Sequence, residues 1–237
     1  MSFWNGFAQE EFKFEGRRCT VVLPKVANEG RFWSMKMVYK DPFPNTEIAL
    51  LEAGFHVVYF DINCRWANDL DNDIRARFVE YVIEKYNLNP RFCPIGMSAG
   101  GSHSVSFASR FPERIAAMFL DAPVIDFTSC PSNYSEWMEK EFYPNFKERT
   151  AEEIKRAPEN PINRIEELVK HKIPLILLYG DLDEVVPWEE NGLHLYNAYL
   201  KSDAPVKLIV RSGEAHHPHG LSDPSEIIDF LIRGYDR

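Results

Sequence analysis

Short runs of β-branched and aromatic residues alternate along this chain with longer stretches whose apolar positions recur at helical spacing. The segment Phe55–Phe60, FHVVYF, is nearly all apolar, which predicts a strand covered on both faces. Strands are also predicted at Phe12–Phe14, Cys19–Leu23, Met35–Tyr39, Phe92–Ile95, Ala116–Leu120, Pro174–Tyr179 and Val206–Val210, about eight in all. Helices are predicted between them at Asn45–Ala53, which Gly54 would stop, and at Asp71–Tyr86, Ala99–Ser109, Trp188–Leu200 and Pro224–Arg233. This alternation predicts a mostly parallel sheet with helices on both faces, and the short early connections predict an antiparallel edge. Residues 122–172 break the rhythm. They carry Pro123, Pro131, Pro144, Pro158 and Pro161 and lack a clear strand, which predicts a small helical insertion lying over the sheet. Residues 1–237 are expected to form a single domain that contains it.

Composition narrows the function classes. The net charge of −9 disfavours nucleic acid and leaves no basic helix for anionic lipid. No stretch approaches the roughly 18 apolar residues of a membrane span. The start, MSFWNGFAQEEF, lacks the basic region and apolar run of a signal peptide. The expectation is a cytoplasmic protein, with a mature secreted form left open. Four widely spaced cysteines, Cys19, Cys64, Cys93 and Cys130, are expected to be reduced and mostly buried.

The chemistry begins at Gly96-Met97-Ser98-Ala99-Gly100, which follows one predicted strand and opens a small-residue helix. G-x-S-x-G in a strand–turn–helix context builds a sharp turn that exposes the serine oxygen at a helix N-terminus. Two further segments place chemistry at strand ends. The strand Pro174–Tyr179 runs into Gly180-Asp181-Leu182-Asp183-Glu184-Val185-Val186-Pro187, and Val206–Val210 runs towards Gly213-Glu214-Ala215-His216-His217-Pro218-His219-Gly220. Serine, carboxylate and histidine therefore follow one another in the order found in α/β-hydrolases. Asp181, Asp183 and Asp121 are all candidates for the acid.

The GMSAGG, YGDLDEVVP and GEAHHPHG stretches resemble those of α/β-hydrolase superfamily esterases and their related peptidases, over about Cys19 to Leu231. The pairing of GMSxGG with GxxHHPHG resembles that of small bacterial hydrolases that include carbohydrate esterases. That group often has arginine after its serine, where this chain has Ala99. The resemblance implies an α/β-hydrolase fold and a triad of Ser98, Asp183 and His216. Asp181 is then a turn former. The Ala99 N–H would be one oxyanion donor, and the loop Gly30–Trp33 would supply a second, with Trp33 favoured. Trp137 and Tyr143, with Phe142 and Phe146, are candidates for lining a pocket or for holding the insertion down. His217 and His219 are expected to shape the site or cap the last helix, and His103 to be a packed helix residue. No metal and no cofactor are implied.

The expected activity is cleavage of a carboxylic ester, acyl or sugar-linked, through an acyl-enzyme. The alternatives are a small serine peptidase of prolyl-oligopeptidase type and a non-catalytic binding protein on the same fold.

Overall fold

A computed structural model describes residues 2–129, 136 and 138–236. One nine-stranded sheet organises the described residues, in the order β1-β2-β3-β5-β4-β6-β7-β8-β9. The strands are β1 Ser2–Trp4, β2 Phe7–Phe14, β3 Arg17–Val22, β4 Trp33–Lys36, β5 His56–Phe60, β6 Cys93–Met97, β7 Met118–Asp121, β8 Leu175–Gly180 and β9 Val206–Arg211. β1, β2 and β3 pair antiparallel, β3 meets β5 antiparallel, and the pairs from β5 through β9 are all parallel. This is the α/β-hydrolase fold. The extra strand over the predicted eight is β1, which turns through Asn5-Gly6 into a β2 that starts earlier than predicted.

Helices cover both faces, as parallel strands require. On one face, α1 (Asn45–Glu52) and α7 (Ser225–Arg233) bury Leu50, Leu51, Ile227 and Leu231 against Val57, Ile95, Phe119 and Ile176. On the other lie α2 (Asp69–Tyr86), α3 (Ala99–Arg110), α5 (Ile165–Lys170) and α6 (Gly192–Leu200). They bury Phe78, Val82, Val105, Phe107, Leu168 and Leu195 against Val21, Met35, Val58, Leu120 and Leu175. Burial of each large apolar side chain contributes about 1.5–3 kcal/mol.

After β7 the chain leaves the sheet. Met138–Phe142 forms a π-helical turn, and α4 (Ala151–Arg156) starts at a capping box between Thr150 and Glu153. Phe127, Met138, Phe142, Phe146 and Ile154 pack with Cys64 and Trp66 into a small separate core. Phe142 and Phe146 are buried there, so they hold this segment down. Asn191 fixes its entry. Its Oδ1 accepts from the Ile125 and Asp126 N–H groups at 2.8 and 3.1 Å.

Cys19, Cys64 and Cys93 are free and buried, and burial pushes their thiols up to between about 11 and 12. Cys130 lies outside the described residues. Among the described residues, no helix is long and apolar enough to cross a membrane.

Candidate active site

In sheet order β5 and β6 lie on opposite sides of β4, so the β4–β5 crossover runs one way across the sheet and the β5–β6 crossover runs back the other. Open α/β sheets bind ligands at the carboxyl ends of strands beside such a switch point. Ser98 sits there, between β6 and α3. Its backbone has φ 51° and ψ −119°, a strained conformation for a residue with a side chain. The strain is held by bonding on both sides. The Ser98 N–H donates to the Asp121 carbonyl at 3.0 Å, and the Ser98 carbonyl accepts from the Gly101 and Val124 N–H groups at 2.9 Å each. Gly96 permits the turn. A Cβ on it would lie 2.4 Å from the Gly100 carbonyl oxygen and from Ser104 Oγ. The first N–H groups of α3, Ala99 among them, point out of the helix end and favour negative charge.

Asp183 follows β8 and His216 follows β9. Asp183 Oδ2 lies 2.7 Å from His216 Nδ1, and both side chains are buried. Asp183 Oδ1 accepts from the Val185 and Val186 N–H groups at 2.9 Å each. Burial pushes this carboxyl upward, but the His216 hydrogen bond and the two backbone N–H donors outweigh it and hold it below its ordinary value. Gly180 makes the pairing possible. The Glu214 and Ala215 carbonyls would lie 2.2 and 2.5 Å from a Cβ there, so the histidine loop passes directly against the end of β8. Asp181 faces that loop instead, with Oδ1 accepting from the Gly213 N–H at 2.7 Å and Oδ2 from Ser212 Oγ at 3.1 Å. It is a turn former.

The histidine loop then sweeps back across the sheet edge. His217 stacks on Phe43, in the loop after β4, with ring centroids 5.5 Å apart. The Gly220 N–H donates to Asp121 Oδ2 at the end of β7. β6 lies between β4 and β7, so the loop that carries His216 crosses the strand end that carries Ser98.

Asp121 is fully buried, with Arg211 Nη2 3.5 Å from Oδ1 and His219 Nδ1 3.3 Å from Oδ2. It serves the histidine loop through His219 and Gly220, while His216 is bound to Asp183. Burial, His216 and His219 together lower the basicity of His217.

Trp33 is placed differently from the expectation. It opens β4, at the amino end of the strand, whereas Ser98 follows the carboxyl end of β6. Its N–H donates to Tyr235 Oη at 3.2 Å, and it is fully buried. The structure thus removes Trp33 from the candidate oxyanion site, because the loop Gly30–Trp33 precedes β4 rather than following it. The segment at the reactive edge is the one after β4. Val38 and Tyr39 line a cavity of about 250 Å³ with Ala99, Ile62, Asn63, Arg65 and Glu141. The sequence signal lay in Met35–Tyr39, where Tyr39 adopts φ 58° and ends the run as a loop. Tyr143 does not line this cavity. Arg149 lies over its ring, 5.0 Å from the centroid. Trp137 lies outside the described residues. His103 is a packed helix residue, as expected. Its Nδ1 faces Arg75 at 3.4 Å and must accept, so Nε2 donates to the Arg65 carbonyl at 3.1 Å. Burial and the Arg75 charge keep it neutral.

Comparison with known proteins bears on this arrangement. The family model of the Prolyl oligopeptidase family matches residues 59–233. No curated protein matches the sequence significantly. Among solved structures, dipeptidyl peptidase 4 of Porphyromonas gingivalis superposes with a TM-score of 0.71 at 15% identity, over 97% of this chain and 36% of the other. A puromycin-hydrolyzing peptidase of Mycobacterium tuberculosis gives 0.72 at 15% identity, over 95% and 38%. A Bacteroides ovatus protein described as a dipeptidyl aminopeptidase IV gives 0.69 at 16% identity, over 97% and 35%. The chain therefore spans little more than a third of the length of these neighbours, and at such identities the likeness is one of fold.

Proposed function

The chain belongs to the Prolyl oligopeptidase family, and from that premise we propose that it is a serine peptidase that cleaves short peptides through an acyl-enzyme on Ser98. The observation that carries the reading is the buried Asp183–His216 pair, 2.7 Å apart, with His216 on the loop that crosses the end of β6 where Ser98 sits.

In this reading Ser98 Oγ attacks the scissile carbonyl while His216 Nε2 takes its proton. Asp183 holds His216 with Nδ1 protonated and stabilises the imidazolium that forms. The carbonyl oxygen becomes an anion facing the Ala99 N–H at the mouth of α3, where the helix dipole stabilises it. His216 then protonates the leaving amine, and the acyl group remains on Ser98. Water, deprotonated by His216, releases the acid in the second half-reaction.

Esters react through the same steps, so the ester-cleaving expectation shares this machinery. The family match favours the amide, as do the peptidases among the structural neighbours. The test is kcat/KM on a panel of short peptidyl 4-nitroanilides, with proline and other residues at the acyl position, beside p-nitrophenyl acetate. Saturable anilide turnover that disappears in Ser98→Ala supports the peptidase. Ester turnover with no anilide turnover would return the assignment to an esterase, and no turnover of either to a binding protein.

A further inference from the structure

His216, His217 and His219 each bring one ring nitrogen to within 4.8 Å of the other two. The three rings are mutually perpendicular, with centroids 4.7–5.0 Å apart. Two of them are backed by buried carboxylates. Asp183 takes His216 Nδ1 at 2.7 Å, and Asp121 Oδ2 lies 3.3 Å from His219 Nδ1, an atom that is buried without a hydrogen bond. An imidazole whose Nδ1 faces a carboxylate has its Nε2 left to bind a metal, and carboxylate-backed histidines are the usual way proteins orient such ligands. His217 is exposed, which gives an ion a path inward.

From this convergence we propose that His216, His217 and His219 form a binding site for a divalent transition metal of the zinc type. Three neutral imidazoles suit zinc and leave a fourth position for water. A tetrahedral zinc with bonds of about 2.0–2.1 Å sets its nitrogens about 3.4 Å apart, so nitrogens now up to 4.8 Å apart must draw together by up to about 1.4 Å. The bound ion occupies His216 Nε2, the nitrogen that takes the Ser98 proton in the proposed reaction. Metal binding and peptide cleavage are therefore mutually exclusive, and zinc acts as a reversible off-switch. This consequence rests on the function proposed above, while the binding itself does not.

The test is calorimetric titration of the full chain with Zn²⁺, repeated on His217→Ala, with Co²⁺ absorption as a second readout. One ion per chain, the intense visible bands of four-coordinate cobalt, and affinity weakened on the order of 10-fold or more in His217→Ala are expected. In the same variant, zinc inhibition of peptide turnover, measured against that variant's own zinc-free rate, should be relieved by the same factor. Absence of binding, or binding and cobalt spectra that His217→Ala leaves unaltered, would overturn the site. Because binding is read directly, the calorimetry decides it whether or not the chain hydrolyses a peptide.

Discussion

Asp183 and His216 lie 33 positions apart in sequence, yet Oδ2 of one is 2.7 Å from Nδ1 of the other. Neighbouring parallel strands, β8 and β9, deliver the two residues to one edge, and the 2.7 Å contact fixes the imidazole tautomer. Asp183→Asn keeps the shape but removes the charge, and it presents either a donor or a weaker acceptor to Nδ1. It should lower kcat by about 10³–10⁴-fold with little change in KM. Steady-state kinetics on the wild type's best substrate check this, with circular dichroism to show that the variant is folded.

Gly180 is the spacer for that pair. A Cβ at this position meets two backbone carbonyls, which cannot rotate away, so Gly180→Ala must push the Glu214–Ala215 segment off the end of β8. A shift of about 1 Å in His216 should cost about 10²-fold in kcat/KM. Overpacking should add a stability loss of about 1–3 kcal/mol. Kinetics and chemical denaturation together read the two effects.

Tyr235 anchors the other end of β4. Its Oη donates to the Trp33 carbonyl at 2.7 Å and accepts from the Trp33 N–H at 3.2 Å. Tyr235→Phe leaves the Trp33 N–H unpaired in the core and should cost about 1–3 kcal/mol. Because Trp33 is away from the reactive edge, kcat per folded molecule should change less than about 2-fold. Urea melts beside active-site-titrated kinetics check both halves.

His56 gives a pH dependence of stability. Burial, with the nearby Arg31 charge, lowers its folded pKa from 6.5 to about 4. As pH falls through 6.5 the unfolded chain takes up a proton that the folded chain refuses, so stability declines towards pH 4 and this contribution levels off below it. The full effect is up to about 3 kcal/mol. His56→Gln should flatten the wild-type slope in that window, as measured by denaturation at a series of pH values.

Most of the parallel half of the sheet was legible because its strands are short apolar runs bounded by turn residues. The elbow was legible because Gly96 and Gly100 leave little else for Ser98 to be. The first hairpin was missed, although Asn5-Gly6 is the strongest short hairpin signal, because β2 carries Gln9, Glu10 and Glu11 and does not look apolar. Trp33 was misplaced for a related reason. MVY after Met35-Lys36 has strand composition, so the sequence predicts β4 two residues late and leaves Gly30–Trp33 outside it, as a loop that follows an early strand. The metal-type convergence of the histidines could not be read from H-H-P-H alone. It depends on Asp121 and Asp183, carboxylates from two other strand ends.

The central claim is that Ser98 is an activated nucleophile. The folded protein should be treated with a fluorophosphonate, and the adduct located by peptide mass spectrometry. One adduct per chain on Ser98, lost in His216→Ala, is the predicted result. A folded sample that takes no adduct, or takes it elsewhere, would contradict the account.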